Sequence, residues 1–205
     1  MSPTSTHSQA ILPLFVAAAF VALNICPTDA QAQVKQPGAH PLYTVELEPH
    51  ILVQHSHDWR GENQGVGVGI RASIPIIDNG PIRTINNSMA IGFGLDWTRF
   101  SDCDGRVNDD DCNVNQVWIP VVAQWNFFLT PVISVFGEPG IALVHRSLSY
   151  NQNCISIDDD ECSDDYFDPF HPVFYAGARF LFSKNIGLVV RLGTPSVSVG
   201  ATFWM

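Results

Sequence analysis

The feature that most constrains this chain is a two-residue alternation between large apolar side chains and glycine, small or singly charged ones. It recurs in eight segments, residues 43–54, 65–75, 89–100, 117–128, 133–146, 172–182, 186–193 and 196–204. A period of two predicts β-strands, because successive side chains of a strand point to opposite faces of the sheet. Turn-forming sequences such as residues 78–81 and 183–185 separate these segments. We therefore predict eight strands and no helix in this part of the chain.

The two faces of the strands differ in size. In residues 65–70, one face carries Val66, Val68 and Ile70, and the other carries only glycine. In a soluble lipocalin-like barrel, the large apolar face lines the cavity. Here the second face has the small residues and single charges that fit a narrow interior, so the large apolar face must point outward into lipid. A sheet in lipid must also close on itself to pair every backbone group. The predicted fold is all-β, an eight-stranded antiparallel up-and-down transmembrane β-barrel.

The N-terminal region predicts export. Residues 11–26 are apolar but too short to span a bilayer comfortably, and Ala30-Gln31-Ala32 is the small-x-small pattern that signal peptidase needs. We predict cleavage after Ala32, which gives a signal peptide at 1–32 and a single barrel domain at 33–205. An uncleaved membrane anchor is the alternative. With both termini on the periplasmic side, the long connections at 101–116 and 147–167 fall on the external side.

Four cysteines remain after this cleavage. They are Cys103, Cys112, Cys154 and Cys162. An even number of cysteines suits an oxidising compartment, and a loop of about ten residues closes most easily within each neighbouring pair. We therefore favour the disulfides Cys103–Cys112 and Cys154–Cys162 among the possible connectivities. Structural zinc is the alternative, but neither pair has the short spacing of a zinc site.

Taken together, these features resemble the small eight-stranded bacterial outer-membrane proteins, of which the transmembrane domain of outer-membrane protein A is the best known. The resemblance is carried by the exported N-terminus, the glycine-rich alternation of residues 65–71, and the aromatic ending Phe203-Trp204 before Met205. It implies a monomer in the outer membrane of a Gram-negative bacterium, placed there by the barrel-insertion machinery. Outer-membrane lipid and lipopolysaccharide would be its surroundings. The resemblance does not imply a particular activity.

Several charged residues fall on the predicted inner face, where we expect them to pair. An isolated buried charge costs several kcal/mol, whereas a paired and hydrogen-bonded charge can persist. The network would either fill the lumen or gate a narrow, porin-like channel for ions or small solutes. The predicted lumen network consists of Glu46, Glu48, Arg71, Asp96, Glu138, Arg146, Arg179 and Arg191.

The acidic residues are concentrated near the cysteines. The chain has 20 acidic and 10 basic residues, and twelve of the acids lie in residues 101–116 and 149–168. No Lys or Arg cluster is present, so nucleic acid is not an expected partner. The acidic segments are either solvated or form a weak site for calcium or another divalent cation that bridges to lipopolysaccharide. No other cofactor is predicted. The possible calcium ligands are Asp109, Asp110, Asp111, Asp158, Asp159, Asp160 and Glu161.

An enzyme is not expected. His55 and His57 flank Ser56 near a strand end, as in barrels that modify lipids, but no recognised nucleophile context accompanies them. The expected role is structural or surface-exposed, with long, disulfide-stapled acidic external loops. A narrow channel is the second hypothesis, and a secreted lipocalin-like binder of small molecules is the third.

Overall fold

The computed structural model describes residues 33–58, 61–100, 112–150 and 165–205, and it contains eight strands in these ranges. Each strand pairs antiparallel with the next one, and β8 pairs with β1 to close the barrel. The predicted fold class and all eight strands are confirmed. No helix in the described ranges is long and apolar enough to cross a membrane. The strands are β1 (Glu46–Asp58), β2 (Gly61–Ile77), β3 (Asn87–Phe100), β4 (Cys112–Phe128), β5 (Ile133–Tyr150), β6 (Asp165–Leu181), β7 (Ile186–Thr194) and β8 (Ser196–Trp204).

Several strands are longer than their apolar alternation predicts. We call the end of the barrel with the short turns 129–132 and 182–185 the turn end, and the opposite end the loop end. At the loop end, β4 begins at Cys112, which pairs with Tyr150 of β5, and β1 pairs with β2 as far as Asp58 and Gly61. The sequence placed these residues in connections. The extensions are rich in Asn, Gln and Ser, so they lack the apolar alternation that predicts a strand. Backbone hydrogen bonds to the neighbouring strand keep them extended.

The outer surface of the barrel carries a continuous apolar band. Val66 is 65% exposed and Leu95 is 49% exposed, whereas the inward-facing Thr98 is completely buried. On β5, outward-facing uncharged residues run from Ile133 to Leu143. This distance is about 33 Å of strand, or about 25 Å across a membrane for strands tilted by about 40°. The predicted outward orientation of the large apolar face is therefore confirmed.

The N-terminal segment 33–45 covers the turn end of the lumen. The Asn86 amide donates to the Val34 carbonyl at 2.8 Å, and the Thr44 amide donates to the Met205 carbonyl at 2.6 Å. His40 stacks on Phe128 with ring centroids 4.3 Å apart. The predicted first strand began at residue 43, but β1 begins only at Glu46 because the preceding residues belong to this covering segment.

Aromatic rings complete the closure of the lumen at the turn end. Tyr43 stacks on Trp204 at 4.4 Å, and Trp204 packs against the edge of Phe128. Burial, together with the nearby negative charge of Glu46, raises the pKa of the Tyr43 hydroxyl. The turn end is therefore closed by an aromatic layer in which burial disfavours ionisation of Tyr43.

Candidate functional site

The candidate site is the charged interior of the barrel, to which inward-facing positions of six strands contribute. The period of two places Glu46 and Glu48 on the same face of β1, and closure of the sheet brings that face opposite β5, β6 and β7. Seven of the eight residues of the predicted lumen network lie here with at most 3% of their surface exposed. They are Glu46, Glu48, Arg71, Asp96, Glu138, Arg179 and Arg191.

Arg191 is the centre of the network. Its Nη1 and Nη2 donate to the two carboxylate oxygens of Glu48, with Nη2 at 2.9 Å from Oε2. Its Nε donates to Glu138 Oε2 at 2.9 Å, and Nη2 also reaches Glu138 Oε1 at 3.2 Å. A guanidinium presents a planar fork of donors, so one arginine can hold two carboxylates at fixed angles. Arg191 thereby ties β7 to both β1 and β5.

Glu138 accepts hydrogen bonds from three side chains. Besides Arg191, it accepts from Arg71 Nη1 at 2.8 Å and from Gln124 Nε2 at 2.7 Å. Arg71 also lies with its guanidinium carbon 4.5 Å from the ring centre of Tyr175. Two cations and an amide compensate one completely buried carboxylate, which is the condition under which a charge persists in a low-dielectric interior.

A second ion pair lies closer to the turn end. Arg179 Nη2 donates to Glu46 Oε2 at 2.8 Å, and the Thr202 hydroxyl donates to the other oxygen of the same carboxylate at 2.6 Å. Arg179 Nη1 has the Asn126 and Ser134 side-chain oxygens at 3.2 Å each. The sequence identified the two charges but not the hydroxyls and amides that complete their hydrogen bonding.

The fourth base of the network differs from the one predicted. Arg146 is half-buried and lies eight residues beyond Glu138 on β5, roughly 26 Å along the strand. The fourth base is instead His50, whose Nε2 lies 2.9 Å from Asp96 Oδ1, while Arg71 Nη2 lies 3.5 Å from Asp96 Oδ2. Sequence reasoning missed His50, although a signal was present: it lies two residues after Glu48 and so shares its face. A histidine is charged only when protonated, so the pattern of Lys, Arg, Asp and Glu does not reveal it.

The half of the lumen toward the loop end is filled by apolar side chains. The sequence predicted an inner face of mostly glycine and small residues, and this prediction is wrong here. Glycines on β3 make room for large partners on β4: a Cβ on Gly92 would lie 2.8 Å from Val122 Cγ2. Beyond this cluster, Gln54 and Trp118 both donate to Gln116 Oε1, at 2.7 and 3.2 Å. The apolar cluster consists of Trp118, Val122, Ala142, Val144, Val173 and Tyr175.

Other predicted sites lie at or beyond the edge of the described residues. The signal peptide, the cysteines Cys103, Cys154 and Cys162, and all seven possible calcium ligands fall outside them, and Cys112 is described only as the first residue of β4. Within the described ranges, no group of three or more His, Cys, Asp or Glu side chains could hold a metal ion. His171 Nδ1 lies 3.0 Å from Asp168 Oδ2, and the His171 ring packs edge-on against the Trp118 ring.

Several solved structures have a similar fold. The barrel is similar to Neisserial surface protein A, with 13% identity, 78% of this chain and 97% of that chain covered, and a TM-score of 0.53. It is also similar to Ail, the attachment invasion locus protein of Yersinia pestis, with 11% identity, coverage of 80% and 99%, and a TM-score of 0.52. A second structure of Ail, in complex with the heparin analogue sucrose octasulfate, is also similar, with 9% identity, coverage of 78% and 96%, and a TM-score of 0.52.

These similarities concern the fold. No protein-family model matches the chain, and no curated protein matches it either. The predicted resemblance to small eight-stranded outer-membrane barrels is confirmed at the level of architecture, because the matches cover nearly the whole of the structures compared.

Proposed function

We propose that this chain is an outer-membrane anchor: a closed, non-conducting barrel that holds its loop-end connections at the surface of a Gram-negative cell. The observation that carries this proposal is the pairing of an apolar exterior with a filled interior. Outward residues such as Val66 remain well exposed, while Glu138, Arg179 and Arg191 in the lumen are at most 1% exposed. Such a surface is stable in lipid, and such an interior leaves the outer connections as the part able to meet a partner.

The orientation of the side chains favours membrane residence over the lipocalin-like alternative. A soluble binder would keep its large apolar face around an internal cavity, whereas the turn-end half of this lumen is charged. We expect the protein to fractionate with outer membranes and to migrate faster in detergent gels before boiling than after. Recovery from the soluble periplasmic fraction would contradict the proposal.

The narrow-channel alternative requires a rearrangement of the lumen. An ion passing Glu138 would have to displace its bonds with Arg71, Arg191 and Gln124, and the loop-end half is occupied by packed side chains. Breaking one buried pair costs about 3–5 kcal/mol. In planar bilayers, we expect no conductance steps from the purified wild-type protein or from the Glu138→Ala variant. Reproducible steps from folded wild-type protein, absent from a detergent-only control, would favour the channel.

The charge of the outer connections limits the partners of a surface-exposed role. One of the Ail structures contains a heparin analogue, which is a polyanion. In this chain, twelve of the 20 acidic residues lie in residues 101–116 and 149–168, so a polyanion would meet repulsion. We propose a cationic surface as the partner, or lipopolysaccharide bridged by a divalent cation. Binding of the folded protein to lipopolysaccharide vesicles should then increase with millimolar calcium and fall with a chelator.

The same proposal includes a weak calcium site, the oligomeric state, the absence of enzymatic activity and the route of export. The aspartates 109–111 and residues 158–161 would supply a weak calcium site, which calorimetry with calcium against a magnesium control would detect. We propose a monomer without enzymatic activity, exported by a signal peptide and inserted by the barrel-insertion machinery. Sedimentation in detergent tests the monomer, and N-terminal sequencing of the mature protein tests cleavage after Ala32.

A further inference from the structure

We infer that Gln33 is a modification site: in the mature chain it closes into pyroglutamate, a neutral cyclic lactam, and occupies the turn end of the barrel in that form. The inference rests on the proposed cleavage after Ala32, which makes Gln33 the first residue. It gives the covering segment 33–45 an uncharged beginning.

The reaction needs no co-reactant. The α-amine of an N-terminal glutamine attacks the Cδ carbon of its own side-chain amide. A bond forms between the α-nitrogen and Cδ, the bond between Cδ and Nε2 breaks, and Nε2 leaves as ammonia with the proton that the amine gives up. Both reacting groups belong to the same residue, so proximity favours the attack. The product keeps one N–H on the ring nitrogen and the former side-chain carbonyl oxygen Oε1.

The first argument is the hydrogen bond at the Gln33 nitrogen. Among the described residues, this nitrogen donates to the Leu129 carbonyl oxygen at 2.8 Å, in the turn between β4 and β5. In the lactam, Cδ takes the bonding position that the carbonyl carbon of the preceding residue has in the precursor. The planar nitrogen therefore keeps its single N–H in the same direction, and the hydrogen bond to Leu129 survives ring closure.

The second argument is the charge that an open terminus would bring. A free α-amine is mostly protonated near neutral pH, and an ammonium group has several N–H donors. Gln33 is half-buried at the turn end, where a charge partly removed from water is costly without a partner. The described hydrogen bond offers this nitrogen one neutral carbonyl, which matches the single donor of a lactam. The position therefore favours the cyclised, uncharged terminus.

The third argument is that the residue is held in place. The Gln36 amide donates to the Gln33 carbonyl at 2.9 Å, and the Asn86 amide donates to the Val34 carbonyl at 2.8 Å. Chain termini are usually poorly ordered unless such contacts tie them down. Gln33 Oε1 is buried without a hydrogen-bond partner among the described residues. The side-chain oxygen thus has no hydrogen bond there that ring closure would have to break.

The consequence is a blocked, neutral start for the segment that closes the turn end. A lactam has no primary amine for an aminopeptidase to recognise, and modification of the terminus removes its charge. Gln36 lies in the same segment but cannot react in this way, because its nitrogen belongs to a peptide bond. The covering segment therefore supplies a matched, inert glutamine as a control.

The direct test is the mass of the N-terminal peptide of wild-type protein isolated from outer membranes. Free amines are labelled by reductive methylation, and chymotrypsin then releases a peptide ending at Leu42 or Tyr43. We expect this peptide to start at Gln33, to lack the mass of one ammonia, and to carry the label on Lys35 alone. A synthetic open peptide of the same sequence, added at the start of the isolation, corrects for ring closure during preparation.

The possible outcomes separate the modification from the cleavage. A label on both Lys35 and the α-nitrogen of Gln33 would overturn the inference and leave cleavage after Ala32 intact. A mature chain that starts at another residue would overturn the inference together with the cleavage site. The outer-membrane location of the barrel is tested separately, by fractionation.

A pair of variants tests whether the position favours a neutral terminus. Gln33→Asn leaves an open amine, because its shorter side chain cannot close an unstrained ring, whereas Gln36→Asn makes the same change further along the segment. The same mass measurement verifies the terminus of each variant. Hydrogen exchange of the Asn86 amide should be severalfold faster in Gln33→Asn than in wild type and unchanged in Gln36→Asn. Equal exchange in Gln33→Asn and wild type would overturn the preference for the cyclised terminus.

Discussion

Replacement of Arg191 by methionine tests whether the lumen network stabilises the barrel as a unit. The substitution keeps most of the side-chain volume and removes every donor that Arg191 offers to Glu48 and Glu138. The two carboxylates are not affected equally. Glu138 keeps Arg71 and Gln124 at 2.8 and 2.7 Å, whereas the base left nearest to Glu48 among the described contacts is His50 at 3.8 Å.

The expected magnitude follows from this asymmetry. Each hydrogen bond to a charged group contributes about 1.5–3 kcal/mol. The four bonds of Arg191 go to only two carboxylate groups, so their contributions to stability do not add. The cost is set mainly by one buried carboxylate without its cation, for which about 3–5 kcal/mol is typical. We expect Arg191→Met to lower the free energy of unfolding by that amount. Arg191→Met combined with Glu48→Gln should recover most of it, because the orphaned charge is removed.

The assay is reversible urea unfolding in phospholipid vesicles, followed by tryptophan fluorescence. Arg191→Lys is the intermediate control, because it keeps the charge but loses the planar fork, and it should fall between wild type and Arg191→Met. A loss below about 1 kcal/mol for Arg191→Met would refute the reasoning, since it would mean that the lumen screens the charge like water. A double variant no more stable than Arg191→Met would refute the pairing with Glu48.

Three further predictions follow from the packing and the surface. Gly69→Ala should destabilise the barrel by about 1–3 kcal/mol in the same unfolding assay, because its Cβ would overlap His50 and Asp96, whereas Gly137→Ala, with nothing within 4 Å of its Cβ, should be neutral. Ile70→Arg, in the middle of the apolar band of β2, should cost about 2–4 kcal/mol, but Gln64→Arg near the loop end should cost at most about 1 kcal/mol. Mass mapping without reduction should find the crosslinks Cys103–Cys112 and Cys154–Cys162, and a crosslink between the pairs would contradict the predicted connectivity.

The sequence predicted the fold well because the decisive signal is local. In a strand, the side of each residue is set by its position alone, so the contrast between Val66 and Gly67 already separates the lipid face from the lumen face. The same logic placed Glu138 and Arg179 inside the barrel. The signal failed where the residues lacked that contrast, as in the polar loop-end extensions of β4 and β5 and in the covering segment 33–45.

The sequence by itself thus determined the number of strands, their inward and outward faces, and which arginines and carboxylates must share one interior. Only the tertiary structure decided which of them bond. Arg191 and Glu48 are 143 positions apart in sequence, and they meet because β1 closes against β8 at one particular register. The same register leaves Arg146 far from the network and puts His50 beside Asp96. A period of two fixes the face of a residue but not its height in the barrel, and pairing depends on height.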